Sequence, residues 1–191
     1  MNMKKKRIIT ILAIVVLVAG IVGGTIAWLT AETDPLVNVF STSGIQITLE
    51  ETEESYFMVP GHDIHKDPVA SVVAGSEECW LFVKLEKSDN FDDYLTYEIA
   101  DGWSQLTADK DGNTITDLIY CRQVLASEIN STAGAAYHVL KGDKVSVLDT
   151  VTDDDMTLAE TNQPTLTITA YASQLHSGSK DFSAAEAWAN F

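Results

Sequence analysis

His62 and His65 stand three residues apart, interleaved with Asp63 and Asp67, in the stretch Val59-Pro60-Gly61-His62-Asp63-Ile64-His65-Lys66-Asp67-Pro68. Imidazole nitrogen and carboxylate oxygen are donors that a zinc ion accepts, so this turn is a candidate metal site. A zinc peptidase needs two rigidly held ligands, a third from elsewhere and a general base, as His-Glu-x-x-His on a helix provides. The chain contains no His-Glu-x-x-His. Pro60, Gly61 and Pro68 place the histidines in a loop, where solvation alone also selects polar side chains. Asp109-Lys110-Asp111-Gly112-Asn113 is like the beginning of a calcium loop, with Asp109 and Asp111 as candidate oxygen ligands, but the later bidentate Glu is missing. The acidic clusters Asp89, Asp92, Asp93 and Asp153-Asp154-Asp155 read as solvated faces. The expectation is therefore no resident cofactor, with zinc and calcium as the ions those residues would take.

Cys79 and Cys121 are the only cysteines. An oxidising exterior would permit a disulfide between them. Neighbours such as Trp80 and Tyr120 equally suit buried free thiols, and both readings stay open. Neither Gly-x-Ser-x-Gly nor Gly-x-Gly-x-x-Gly occurs, so nothing points to an acyl-transfer or dinucleotide site and no enzyme is expected.

The elements that carry these residues read as strands. In residues 45–49, Ile-Gln-Ile-Thr-Leu, apolar side chains alternate with polar ones, the pattern of a half-buried strand. Residues 80–85 are more continuously apolar, interrupted only by Lys84, with Leu81, Val83 and Leu85 on one face and Trp80 and Phe82 on the other, which places them centrally in a sheet. Residues 69–73, 95–99, 114–125, 137–140, 144–148 and 165–172 complete the strand set. Asp111-Gly112 and Lys141-Gly142-Asp143 are turn signals. Many short strands without long 3.6-period segments between them predict an all-β antiparallel sandwich. Helix is expected in the N-terminal segment, at 127–132 and at 184–190, where Ser183 and Glu186 have capping-box spacing. Trp188 and Phe191 should cover an end of the sandwich, and 149–160 should be an exposed loop.

Of 191 residues, 28 are acidic and 12 basic, a net charge of −16. Four of the basic ones, Lys4 to Arg7, crowd the N-terminus, ahead of an apolar run from Ile8 to Val22 and the small-residue stretch Gly23-Gly24-Thr25-Ile26-Ala27. This is signal-peptide order, with Thr25 and Ala27 suiting cleavage before Trp28. An uncleaved anchor over residues 8–29 is the alternative. Both put the body outside the cytoplasm and confine membrane contact to this segment. The remaining body carries 28 acidic and 8 basic side chains, a net charge near −20, which excludes nucleic acid as a partner. The division expected is a signal peptide over 1–27, an N-terminal segment over 28–44 and a sandwich domain over 45–191.

Three blocks carry a family resemblance. The first is Lys4-Lys5-Lys6, the apolar run, Gly23-Gly24-Thr25-Ile26-Ala27-Trp28, and then Phe40, Gly44 and the alternating 45–49, with one residue more between Phe and Gly than the family pattern has. The second is Pro60-Gly61 to Lys66-Asp67-Pro68. The third is Pro164 to Gln174, followed by Ala185-Glu186-Ala187-Trp188. Together they resemble the TasA/camelysin family of proteins exported with SipW-dependent signal peptides.

The resemblance implies a jelly-roll-like sandwich, a SipW-type signal peptidase as partner in export, and a place on the Gram-positive cell surface or in the extracellular biofilm matrix. Members of that family are fibre subunits, in which the N-terminal segment completes the sheet of the next subunit. Carried over, segment 28–40 would be a donor strand and Trp28, Leu29, Leu36, Val37 and Phe40 its pocket-filling residues. One branch is labelled a metallo-endopeptidase, which is the competing function. A monomeric surface-binding module is the third.

Overall fold

The computed structural model of the chain describes residues 44–52, 58–152, 155 and 162–191. The export segment 1–27, the cleavage residues Thr25, Ala27 and Trp28, and the assembly residues Leu29, Leu36, Val37 and Phe40 lie outside the described residues. Within them the chain is all-β. Its strands are β1 (Ile47–Glu50), β2 (Asp63–His65), β3 (Val69–Val72), β4 (Cys79–Lys87), β5 (Leu95–Thr96), β6 (Ser104–Gln105) and β7 (Leu118–Val124). β8 (Ala135–His138), β9 (Lys144–Val147), β10 (Leu166–Gln174), β11 (His176–Ser177) and β12 (Lys180–Asp181) follow. The short helices are α1 (Phe91–Tyr94) and α2 (Ala184–Trp188).

β4 is apolar on both faces from Cys79 to Val83, where both are covered. It lies inside an antiparallel sheet of order β10-β4-β7-β6. Cys79, Leu81, Val83 and Leu85 point into the main core with Val124, Ala170 and Ala172, as the alternation over 80–85 predicts. Phe82 points the other way, into a second core with Ile119, Cys121 and Ala187.

Facing the main core is a second layer made of two three-stranded antiparallel sheets. β1-β3-β8 forms one part and β2-β9-β5 the other. Lys66 N–H donates to Asp143 O at 2.8 Å and Val139 N–H to Pro68 O at 2.9 Å, so hydrogen bonds continue from one sheet to the other where β2 leads into β3 and β8 into β9. Ile47, Ala70, Val72, Ala135, Val145 and Val147 from this layer meet the β4 face, which makes the sandwich.

The outer face of the β4 sheet is closed by α2. Ser183 caps it through a complete capping box with Glu186, the arrangement their spacing predicts. Trp188 packs on Phe82 at 5.2 Å with the rings tilted by 54° and meets Tyr171 edge-on at 5.2 Å, and Phe191 lies 5.2 Å from Tyr171. Trp80 Nε1 donates to Phe182 O at 2.8 Å, tying the approach to the helix onto the sheet. Ser183→Ala is expected to cost about 1 kcal/mol in urea unfolding, the usual value of an N-cap.

Several expectations are corrected. Cys79 lies opposite Val124, and Cys121 opposite Phe82, in the β4–β7 register. Their side chains therefore leave opposite faces of one sheet, and both are free and buried. A disulfide needs Cβ atoms about 4 Å apart, which this geometry denies. Burial pushes the Cys79 thiol up to about 12 and raises that of Cys121. The protein purified in air should show two free thiols on denaturation and almost no thiol reactivity when folded.

Residues 127–132 form turns, not helix. The Asn130 side-chain oxygen accepts from the N–H groups of Thr132 and Ala133, which gives the backbone an alternative to helical bonding. The turn needs Gly134, whose φ is +71° and whose added Cβ would fall 2.1 Å from Val72 O. Gly134→Ala should lose at least about 1–3 kcal/mol from backbone strain alone. The strand expected at 114–125 begins only at Leu118; Thr114 instead bridges Ala108 to close the Asp111-Gly112 turn. That expected at 95–99 is paired as strand at Leu95–Thr96, with a single bridge from Ile99 to Leu140. In the stretch read as an exposed loop, Val151 is 6% exposed and packs in the core.

Candidate functional site

The residues with metal-ligand chemistry are spent on the backbone and on one another. His65 is not in a loop: it sits in β2, opposite Lys144 of β9. Its Nδ1 is 3.0 Å from Asp143 O, whereas His62 Nδ1 is 2.9 Å from Pro60 O, so the imidazoles are held by different chain segments. Asp63 accepts from Lys144 Nζ at 2.7 Å and Ser146 Oγ at 2.6 Å, bonds that hold its carboxyl below the usual range. Thr52 does the same for Asp67 through its hydroxyl and its N–H.

Asp109 accepts from the side chain and N–H of Asn113 and from the N–H of Asp111, again lowering its pKa, while Asp111 pairs with Lys110. That carboxylate organises its own turn. Among the described residues no group of three or more His, Cys, Asp or Glu is placed to hold a metal ion.

The outstanding surface feature is a sheet edge. β10 pairs with β4 over its whole length, Leu166↔Lys87 to Gln174↔Cys79, and stands last in the sheet order. From Leu166 to Thr169 its other side has no hydrogen-bonded neighbour among the described residues and is accessible, whereas Ala170, Ala172 and Ser173 are buried. Alternate residues along such an edge present N–H and C=O groups outward. The strand reads Leu-Thr-Ile-Thr-Ala-Tyr-Ala-Ser-Gln, without charge, proline or glycine, in a chain that is 21% charged.

The remaining edges are blunted. β6 at the far side of the same sheet has two residues, and β5, β2 and β8 in the facing layer have two, three and four. β1, which ends the facing layer beside β10, is four residues long and closes on Glu50. Short or charged edges are how folded proteins prevent unwanted pairing, and β10 has neither protection. Where β1 and β10 adjoin, Leu49, Leu166 and Ile168 pack on the core yet are only half-buried.

The chain matches no family model, no curated protein and no solved structure.

Thr167 and Thr169 lie on the outer face of β10, opposite Glu86 and Lys84 of β4. Lys84 in turn pairs with Glu86 and Asp117, which neutralises the sheet surface beside the edge. The composition of 165–172 was readable as strand. That this strand is the unguarded edge depends on long-range pairing order, for which the local signal was only the absence of charge.

Proposed function

We propose that this protein is an exported, non-enzymatic structural subunit of a bacterial surface or extracellular matrix, which assembles by strand addition. β10 is the accepting edge, and residues 28–40 of a neighbouring copy are the donor. The observation that carries this reading is the uncharged, proline-free strand β10, whose first half, Leu166 to Thr169, is open on one side among the described residues. Backbone hydrogen bonds along that edge would supply affinity, and alternate side chains of the donor would supply specificity. Trp28, Leu29, Leu36, Val37 and Phe40 are the apolar side chains available to cover Leu49, Leu166 and Ile168. Pro35 lacks an N–H and divides the donor into two pairing stretches. Head-to-tail addition of this kind does not close on itself and yields a filament.

Protein beginning at Trp28 should form filaments, and protein beginning at Ser41 should remain monomeric. Equal behaviour of the two would remove the donor role from residues 28–40.

Charge sets the conditions. The donor segment adds Glu32 and Asp34 and no basic residue to a body whose net charge with them is near −20, so copies repel at neutral pH and low salt. Salt, or a fall in pH toward 5, is expected to speed assembly measured by light scattering. The subunit should still be folded there. Lys180 and Ser183 lower the Glu186 carboxyl from 4.5 to about 2. A carboxyl lowered in the folded state adds stability above its unfolded value, and that stability is lost only as pH falls through the folded value. For Glu186 the loss falls between about pH 4.5 and 2, so near-ultraviolet circular dichroism should be unchanged at pH 5.

A further inference from the structure

Each of the seven lysines among the described residues has a carboxylate oxygen within 3.2 Å. Arg122 does not. Among the described residues no ion pair or hydrogen bond engages its guanidinium, and its Nε is buried without a partner. The group is instead held between rings: its central carbon lies 3.5 Å from the Tyr137 centroid and 5.6 Å from that of Trp103. Trp103 is fixed in turn by donation from Nε1 to His138 O at 2.9 Å. Gly102, at φ +89°, leaves the space beside Nη1 free, since a Cβ there would approach it to 3.3 Å. Among the guanidinium nitrogens only Nε is sealed from solvent, so the Nη end of the fork remains open.

Arginine is the cation best shaped for a carboxylate, because its planar N–H groups meet both oxygens at once. Here the only arginine of the body is pre-positioned by two rings and left unpaired on a molecule near −20.

We propose that the Trp103–Arg122–Tyr137 stack is a carboxylate-binding site, occupied by an acidic side chain of a second copy of this chain. The second copy is argued from charge. With every described lysine already neutralised, Arg122 is the one described cation able to turn the repulsion between two such bodies into a local attraction. Its position also suits assembly, because Arg122 is on β7, separated from β10 by β4, so contact there leaves the accepting edge free. The choice of occupant rests on the assembly function proposed above; the carboxylate chemistry does not.

The test uses the full chain labelled with 15N-arginine, which contains Arg7 and Arg122 alone, with their Nε–Hε signals assigned through Arg122→Lys. Acetate should shift the Arg122 signal where sodium chloride of equal ionic strength does not, and raising protein concentration should shift it in the same direction. Arg122→Lys and Arg122→Met should each slow filament formation at least tenfold. A signal unmoved by both acetate and protein concentration overturns the site. A response to acetate without one to protein concentration overturns the second copy as occupant, as does undiminished assembly of both variants. If the unaltered chain forms no filaments while acetate still moves Arg122, the assembly function fails and the carboxylate site stands.

Discussion

A variant carrying Thr167→Lys with Thr169→Glu should remain a folded monomer at concentrations where the unaltered protein forms filaments. Both side chains lie on the outer face of β10, and the introduced charges meet opposite ones on β4. In the existing register the ammonium at position 167 would face Glu86, and the carboxylate at position 169 would face Lys84. Opposite charges on directly facing residues stabilise a strand pair by about 0.2–1 kcal/mol, so the subunit itself should lose nothing in urea unfolding. The edge, however, would acquire the charges that other edge strands use to refuse a partner. Loss of at least nine-tenths of the light-scattering signal, at an unchanged unfolding midpoint, is the expected pair of readings. Filaments forming at the normal rate would mean that β10 is not the accepting edge.

The largest effect on stability is expected at Phe82. Its side chain is 0% exposed and supports Trp188 at 5.2 Å and Phe191 at 6.2 Å. Phe82→Ala removes the floor of the outer core, with an expected cost of about 3–5 kcal/mol. That is a large share of the roughly 5–15 kcal/mol by which a domain is stable. α2 depends on this contact more than on its own backbone, since five residues are too few to hold a helix unaided. The near-ultraviolet signal of Trp188 should therefore weaken together with the fall in urea midpoint. A cost below about 1 kcal/mol would show that the helix does not close the sheet.

Much of this scaffold was legible in the residues. The two-faced apolar run over 80–85 announced a central strand, and the structure buries Leu81, Phe82 and Val83 fully. Ser183 and Glu186 announced their capping box, and Lys141-Gly142-Asp143 its turn, with φ of +68° at Gly142 and +54° at Asp143. Local signals of this kind are read by neighbours in sequence. β2 escaped because three residues between Pro60-Gly61 and Pro68 show no period, and its partner β9 lies some eighty positions on, beyond any local pattern.

The cysteines show the same boundary. The face each takes within its own strand follows from alternation, but whether the faces agree depends on the β4–β7 register. The stack on Arg122 needed Gly102-Trp103 and Tyr137 from two separate segments, and no spacing along the chain brings them together. The open edge of β10 is likewise a property of strand order. Donor segment and export, by contrast, were read from the N-terminal sequence and its family resemblance.

Backbone amide exchange along β10, compared between the monomer and the assembled protein, tests strand addition most directly. In the monomer, the amides directed away from β4 between Leu166 and Thr169, the accessible half of the strand, should exchange quickly. On assembly those same amides should become at least a hundredfold slower, as a strand from the next copy takes up their hydrogen bonds. Unchanged exchange over Leu166 to Thr169 in filaments would contradict assembly at this edge.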